Sequence, residues 1–191
     1  MAEVILFHHA LGLTPGCLAF ADDLRAAGHA VHTPDLYGGR IFTQLAEGVG
    51  YAEGVGFNTI IARGEAVADG LPNAIVYAGF SLGVMPAQRL AQTRPGAKGA
   101  LLLHSAVPLA EFGGRWPEGV PLQIHTMAAD DWGDVDVARD LAATIKGAEL
   151  FLYPGDRHLF TDSSLPDYDE AAATLLKRRV LAFLDGLEEN A

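Results

Sequence analysis

Apolar residues along this chain fall into two rhythms that take turns. Short β-rich runs occupy residues 4–7, 30–33, 74–78, 100–103, 122–125 and 149–153. Between them, residues 16–27, 57–69, 82–93 and 135–146 carry the looser spacing of helices. Strand and helix patterns in alternation predict βαβ units on a parallel sheet, an α/β fold in one domain over residues 1–191. A last helix is the clearest of all, because Leu176, Val180, Phe183 and Leu187 fall on one face at i, i+4, i+7 and i+11.

Residues 48–56 are rich in glycine and read as a loop. No Lys-Ser/Thr follows them and the spacing is not G-x-G-x-x-G, so neither a phosphate-binding loop nor a dinucleotide fingerprint is present. On a doubly wound sheet, ligands lie at the carboxyl ends of the strands, and those ends hold the informative residues. Gly79-Phe80-Ser81-Leu82-Gly83 follows one strand run directly and precedes a helical stretch. This is the setting of a G-x-S-x-G nucleophile elbow. The turn is so sharp that residues two before and two after the serine must lack side chains. Ser81 is the candidate nucleophile, and the backbone N–H of Leu82, at the start of the helix, is a candidate oxyanion donor.

Composition narrows the partners. The chain has 191 residues, half of them apolar, enough for one well-buried core. A formal net charge of −11 argues against nucleic acid, which demands clustered Lys and Arg. No apolar stretch is long enough to span a bilayer, and Met1-Ala2-Glu3 leads into a strand rather than a basic leader, so no membrane partner and a cytoplasmic location are expected. Cys17 is the only cysteine, which rules out an internal disulfide and suits a reducing interior. No cofactor and no metal are expected, and the chain is read as a monomer or homodimer.

A serine nucleophile needs a base and an acid to orient the base, and on this kind of sheet the order is Ser, Asp/Glu, His. His158, which follows the strand run 149–153 through Pro154-Gly155-Asp156-Arg157, is the candidate base, because His125 lies within a strand run. Asp130, Asp131 and Asp134 follow the strand at 122–125 and compete for the acid; spacing favours Asp130, with Asp131 as the alternative and an N-cap role open to both. The loop His8-His9-Ala10-Leu11-Gly12 after the first strand is the place for a second oxyanion donor, with Ala10 chosen. His9, Tyr37, Phe80 and Trp116 are candidate pocket residues, each with ordinary packing as its alternative.

Taken together, residues 4–13, Pro34-Asp35-Leu36-Tyr37, the elbow, Gln123-Ile124-His125 leading to Asp130, and Tyr153-Pro154-Gly155 leading to His158 resemble the dienelactone hydrolase family of α/β-hydrolases. The resemblance implies a three-layer α/β/α sandwich with a Ser81-His158-Asp130 triad. It further implies oxyanion donors at Leu82 and Ala10, and cofactor-free cleavage of a small ester or lactone. Three positions depart from the family's type enzyme. Ser81 stands where that enzyme has cysteine, so a less acidic hydroxyl depends more on its base. His9 stands in place of a glutamate. Asp162 replaces an arginine, which removes the cation that a dienelactone carboxylate would meet. Residues 105–120, with Gly113-Gly114 and Pro117, are too few for a cap domain, so an open site is expected. Thioesters fit the same mechanism. A hydrolase fold that binds a small ligand without turning it over is the alternative from another class.

Overall fold

In the computed structural model, which describes residues 1–189, six strands form one parallel sheet in the order β2-β1-β3-β4-β5-β6. The strands are β1 (Glu3–Phe7), β2 (Ala30–His32), β3 (Val76–Phe80), β4 (Gly99–Leu103), β5 (Leu122–Met127) and β6 (Glu149–Tyr153). Six helices connect and flank them: α1 (Pro15–Ala26), α2 (Leu45–Val55), α3 (Phe57–Ala68), α4 (Val84–Thr93), α5 (Val135–Thr144) and α6 (Glu170–Glu189). Alternate side chains of each strand enter opposite cores. Val4 and Leu6 pack with Phe20 and Leu24 of α1 and with Leu176, Val180 and Leu184 of α6. Ile5 and Phe7 join Ile60 of α3, Val84 and Leu90 of α4, and Leu141 of α5. Both faces of the sheet are therefore covered, which is why its strands read as unbroken apolar runs. The result is a three-layer α/β/α sandwich without a cap domain among the described residues.

The elements depart from expectation at three informative places. Strand β3 begins and ends two residues later than its apolar run, so that Gly79 pairs with both Phe7 and Leu102 and the strand runs straight into Ser81. The buried stripe of α6 centres on Leu176, Val180 and Leu184, with Phe183 and Leu187 at its flank, where they close over Gly99. Most consequential, residues 48–56 are not a loop: α2 covers most of them. Glycine inside a helix costs about 1 kcal/mol relative to alanine. Here the cost is offset by closeness, because a Cβ on Gly48 would lie 2.2 Å from the Ala10 carbonyl oxygen. The helix can lie directly on the loop after β1 only without that atom.

This order has one switch point. The chain moves from β1 outward to β2, then crosses back over β1 to start β3 on its other side. At that reversal the connections leave in opposite directions and open a crevice above the carboxyl ends of β1 and β3. The loop 8–12 and Ser81 border it.

Candidate active site

Backbone constraint builds the turn at Ser81. This residue has φ 48°, in the left-handed region that costs a non-glycine residue energy. The chain reverses so sharply that a Cβ on Gly79 would lie 2.1 Å from the Gly83 carbonyl oxygen, and one on Gly83 would lie 2.4 Å from that of Phe7. Both glycines are needed for the chain to pass itself and the neighbouring strand. A short helical turn, Ser81–Gly83, then feeds α4, so the first backbone N–H groups of the helical stretch have no acceptor within it.

Three side chains from three strand ends meet here. Ser81 Oγ lies 2.7 Å from His158 Nε2, and His158 Nδ1 lies 2.8 Å from Asp130 Oδ2. Asp130 is fixed in turn: its Oδ1 accepts the Trp132 N–H at 2.9 Å, and Gly133 leaves it room, since a Cβ there would meet Asp130 Oδ2 at 2.8 Å. With Nδ1 donating to a buried carboxylate, the Nε2 lone pair faces the serine hydroxyl. Asp131 is exposed and lies outside this chain of bonds. His125 is sealed between Tyr153 and Gln123, and burial, together with the Arg179 charge, lowers it to about 3.

A cavity of about 300 Å³ opens above these residues. Ser81, Leu82, Ala10 and His158 line it, so both backbone positions expected to bind an oxyanion border the same space. Its walls are Leu45, Val49, Ala52, Phe57, Met85, Val107 and Trp132, with Ser105 and Asp134 as the polar exceptions.

Four residues expected at the pocket stand elsewhere. Tyr37 is buried against His8, Phe42 and Tyr51, with its hydroxyl on the Gly48 carbonyl. Phe80 points into the core between Phe20 and His104. Trp116 lines a larger cavity, about 700 Å³, whose walls include Pro121 and Gly147 just before β5 and β6; this is the end of the sheet away from Ser81. His9 turns from the cavity to Asp162, its Nε2 2.8 Å from Oδ2. Tyr37 and Phe80 gain more by burial in the cores flanking the sheet than by standing in the crevice, His9 is held by the Asp162 carboxylate, and Trp116 belongs to the opposite end of the sheet. The aromatics that do line the cavity are Phe57 and Trp132, the latter 53% exposed and tilted beside His158 at 6.4 Å. For Trp132 the signal is its place two residues after Asp130. Among the other missed walls, Leu45, Val49 and Ala52 sit on α2, which the glycines disguise.

Around the site, two neighbouring histidines are held in opposite ways. His8 donates from Nδ1 to the His9 carbonyl and accepts the Leu36 N–H at Nε2, and burial lowers it to about 4. For His9, burial opposes charge, but Cys17 and Asp162 favour it and push it up to about 9. The Leu11 N–H, aimed at Nδ1 from 3.2 Å, pulls the other way by favouring a lone pair on that nitrogen. In either protonation state the Nε2 proton is donated to Asp162. Burial would raise the Asp162 carboxyl, yet hydrogen bonds from His9, Ser164 and Thr14 hold it down to about 2. His9, Cys17 and Asp162 bring one ligand atom each within 4.8 Å of one another and are the described residues best placed to hold a metal ion, although Asp162 already accepts four hydrogen bonds there.

The model of the dienelactone hydrolase family matches residues 1–187. The chain belongs to the dienelactone hydrolase family. Among solved structures, it is similar to a dienelactone hydrolase-like promiscuous phosphotriesterase from metagenomic libraries, at 20% identity and TM-score 0.79 over 98% of this chain and 87% of that one. It is also similar to a dienelactone hydrolase from Anabaena variabilis, at 16% identity and TM-score 0.68 over 95% and 84% of the two chains. Est1E from Butyrivibrio proteoclasticus aligns at 17% identity and TM-score 0.66 over 98% and 88%. At such identities these likenesses speak for the fold. No curated protein matches the sequence. As a dienelactone hydrolase family member the protein is a hydrolase of the α/β class, and no helix among its described residues is long and apolar enough to cross a membrane.

Proposed function

We propose that this family member is a serine esterase acting on small carboxylic esters or lactones, with Ser81 as nucleophile, His158 as general base and acid, and Asp130 as the orienting carboxylate. The observation that carries the reading is the continuous bond chain from Ser81 Oγ through His158 to Asp130, open to a cavity at its serine end.

His158 Nε2 takes the hydroxyl proton as Ser81 Oγ adds to the substrate carbonyl. Negative charge gathers on the carbonyl oxygen, and the backbone N–H groups of Leu82 and Ala10 are its donors; both residues border the cavity. The imidazolium, stabilised by Asp130, gives its proton to the leaving alkoxide as the carbon–oxygen bond breaks. Water then loses a proton to His158 and attacks the acyl-serine, and the acid departs as Ser81 recovers its hydrogen. No cofactor enters this scheme. With residues 105–120 forming only one helical turn, Leu109–Phe112, no lid domain covers the cavity among the described residues, so short soluble esters are the expected substrates and long-chain lipids are not.

A panel of short-chain nitrophenyl esters tests the proposal. Hydrolysis that vanishes in Ser81→Ala supports it; hydrolysis that survives this substitution places the chemistry elsewhere.

A further inference from the structure

Among the described residues, three non-glycine positions have left-handed backbone: Ser81 at φ 48°, His104 at φ 68° and Asp134 at φ 48°. Strained conformations of this kind persist only where the surroundings enforce them, and they gather at functional sites. Ser81 has its explanation in the elbow. The other two meet at a single contact: Ser105, directly after His104, donates its Oγ–H to Oδ2 of Asp134 itself at 2.6 Å. Both residues line the cavity that holds Ser81 and His158.

Asp134 also stands at the N-cap of α5, where an aspartate side chain ordinarily accepts a backbone N–H of the first turn. It makes no such bond. The carboxylate is directed across to Ser105 instead, at the cost of a cap and of an unfavourable φ. Elsewhere the cavity wall is almost wholly apolar, and it includes no lysine or arginine among the described residues.

We propose that the Ser105–Asp134 pair is the specificity element of this site: it selects esters that carry a hydrogen-bond donor, best a cationic ammonium, and rejects esters that carry a carboxylate. An apolar body would lie along Leu45, Val49, Met85 and Trp132, with its donor group on the free oxygen of Asp134. A substrate carboxylate there would face a like charge with no cation to offset it. This deepens the esterase reading and rests on it for the identity of the reacting group, but not for binding.

Two measurements separate the two claims. The first is equilibrium binding of n-butylammonium and butyrate to the Ser81→Ala protein, followed at the Trp132 indole signal by NMR. The ammonium should bind about tenfold more tightly or better, as expected for a unit charge several ångströms away at intermediate dielectric. Asp134→Asn, whose amide tolerates the left-handed backbone, should abolish that preference. Asp131→Asn removes the same net charge from a position that, though exposed like Asp134, lies outside the cavity, and should leave the preference in place. The second is the ratio of kcat/KM for esters ending in an ammonium and in a carboxylate, which should fall by about the same factor in Asp134→Asn alone. Equal binding of the two ligands, or a preference that Asp131→Asn erodes as much as Asp134→Asn, overturns the proposal. Ammonium preference without turnover of any ester would sustain it while sinking the esterase reading.

Discussion

Two buried histidine–aspartate pairs border the crevice, and they are near copies of each other in everything but outlook. His158 with Asp130 and His9 with Asp162 are both separated by 2.8 Å. Each aspartate also accepts the N–H two residues further on, from Trp132 and Ser164 respectively. What differs is the nitrogen left over. Asp130 occupies Nδ1 of its histidine and leaves Nε2 to Ser81 and the cavity. Asp162 occupies Nε2, and the Leu11 N–H covers Nδ1. One pair can pass a proton to a substrate; the other has no free lone pair and no opening. A histidine–aspartate contact therefore indicates catalysis only when the second nitrogen faces accessible space. The sealed pair instead ties the loop carrying Ala10 to the segment following His158.

Substitutions should split along that line, beginning with the largest effects. Ser81→Ala should lower kcat/KM on the order of 10⁴-fold or more while leaving the melting temperature close to that of the native protein. Asp130→Asn should cost on the order of 10³- to 10⁴-fold, since an amide no longer holds the Nδ1–H tautomer. Asp162→Asn should do the reverse. It weakens hydrogen bonds to a buried carboxylate and should destabilise the fold by about 2 to 3 kcal/mol in urea titrations, with activity retained within about tenfold. A loss of activity as large as that of Asp130→Asn would erase the distinction between the pairs.

The same substitution carries a pH signature. Asp162 is held at about 2, below the ordinary aspartate value of about 3.9, so its stabilising contribution is present above that ordinary value and is lost as the pH falls through about 2. The stability gap between the native protein and Asp162→Asn should accordingly be widest and level between about pH 5 and pH 6, close between about pH 4 and pH 2, and narrow again from about pH 6.5 to pH 9 as His9, held up to about 9 in part by Asp162, loses its proton. A gap that stays constant down to pH 2 would show that the carboxylate charge is not what the His9–Asp162 pair uses. Smallest of all, Asp131→Asn should change activity less than about twofold and stability within about 0.5 kcal/mol, as befits an exposed loop residue.

One side of this contrast, the open pair, is legible in the chain. The alternation of strand and helix patterns, the glycines around Ser81 and the order Ser, Asp, His pointed to strand ends that the fold does bring together. Gly79 and Gly83 were informative because sterics leave them no substitute. The cavity wall was less legible for the opposite reason. Gly48 looks like loop punctuation, yet it lets α2 touch Ala10, a contact between distant segments that no local pattern encodes. Tyr37, Phe80 and Trp116 were plausible linings by type and position, and packing placed them under the sheet or at its other end. His9 and Asp162 are 153 residues apart, so only the fold could reveal them as a pair.

The most direct test of the central claim, that the open histidine–aspartate pair activates Ser81, is fluorophosphonate labelling with the modified residue mapped by mass spectrometry. The account predicts rapid labelling at Ser81 alone, slowed on the order of 10³-fold or more in His158→Ala and changed less than about tenfold in His9→Ala. Labelling at Ser105, Ser163 or Ser164, or a rate at Ser81 that falls as far in His9→Ala as in His158→Ala, would contradict it.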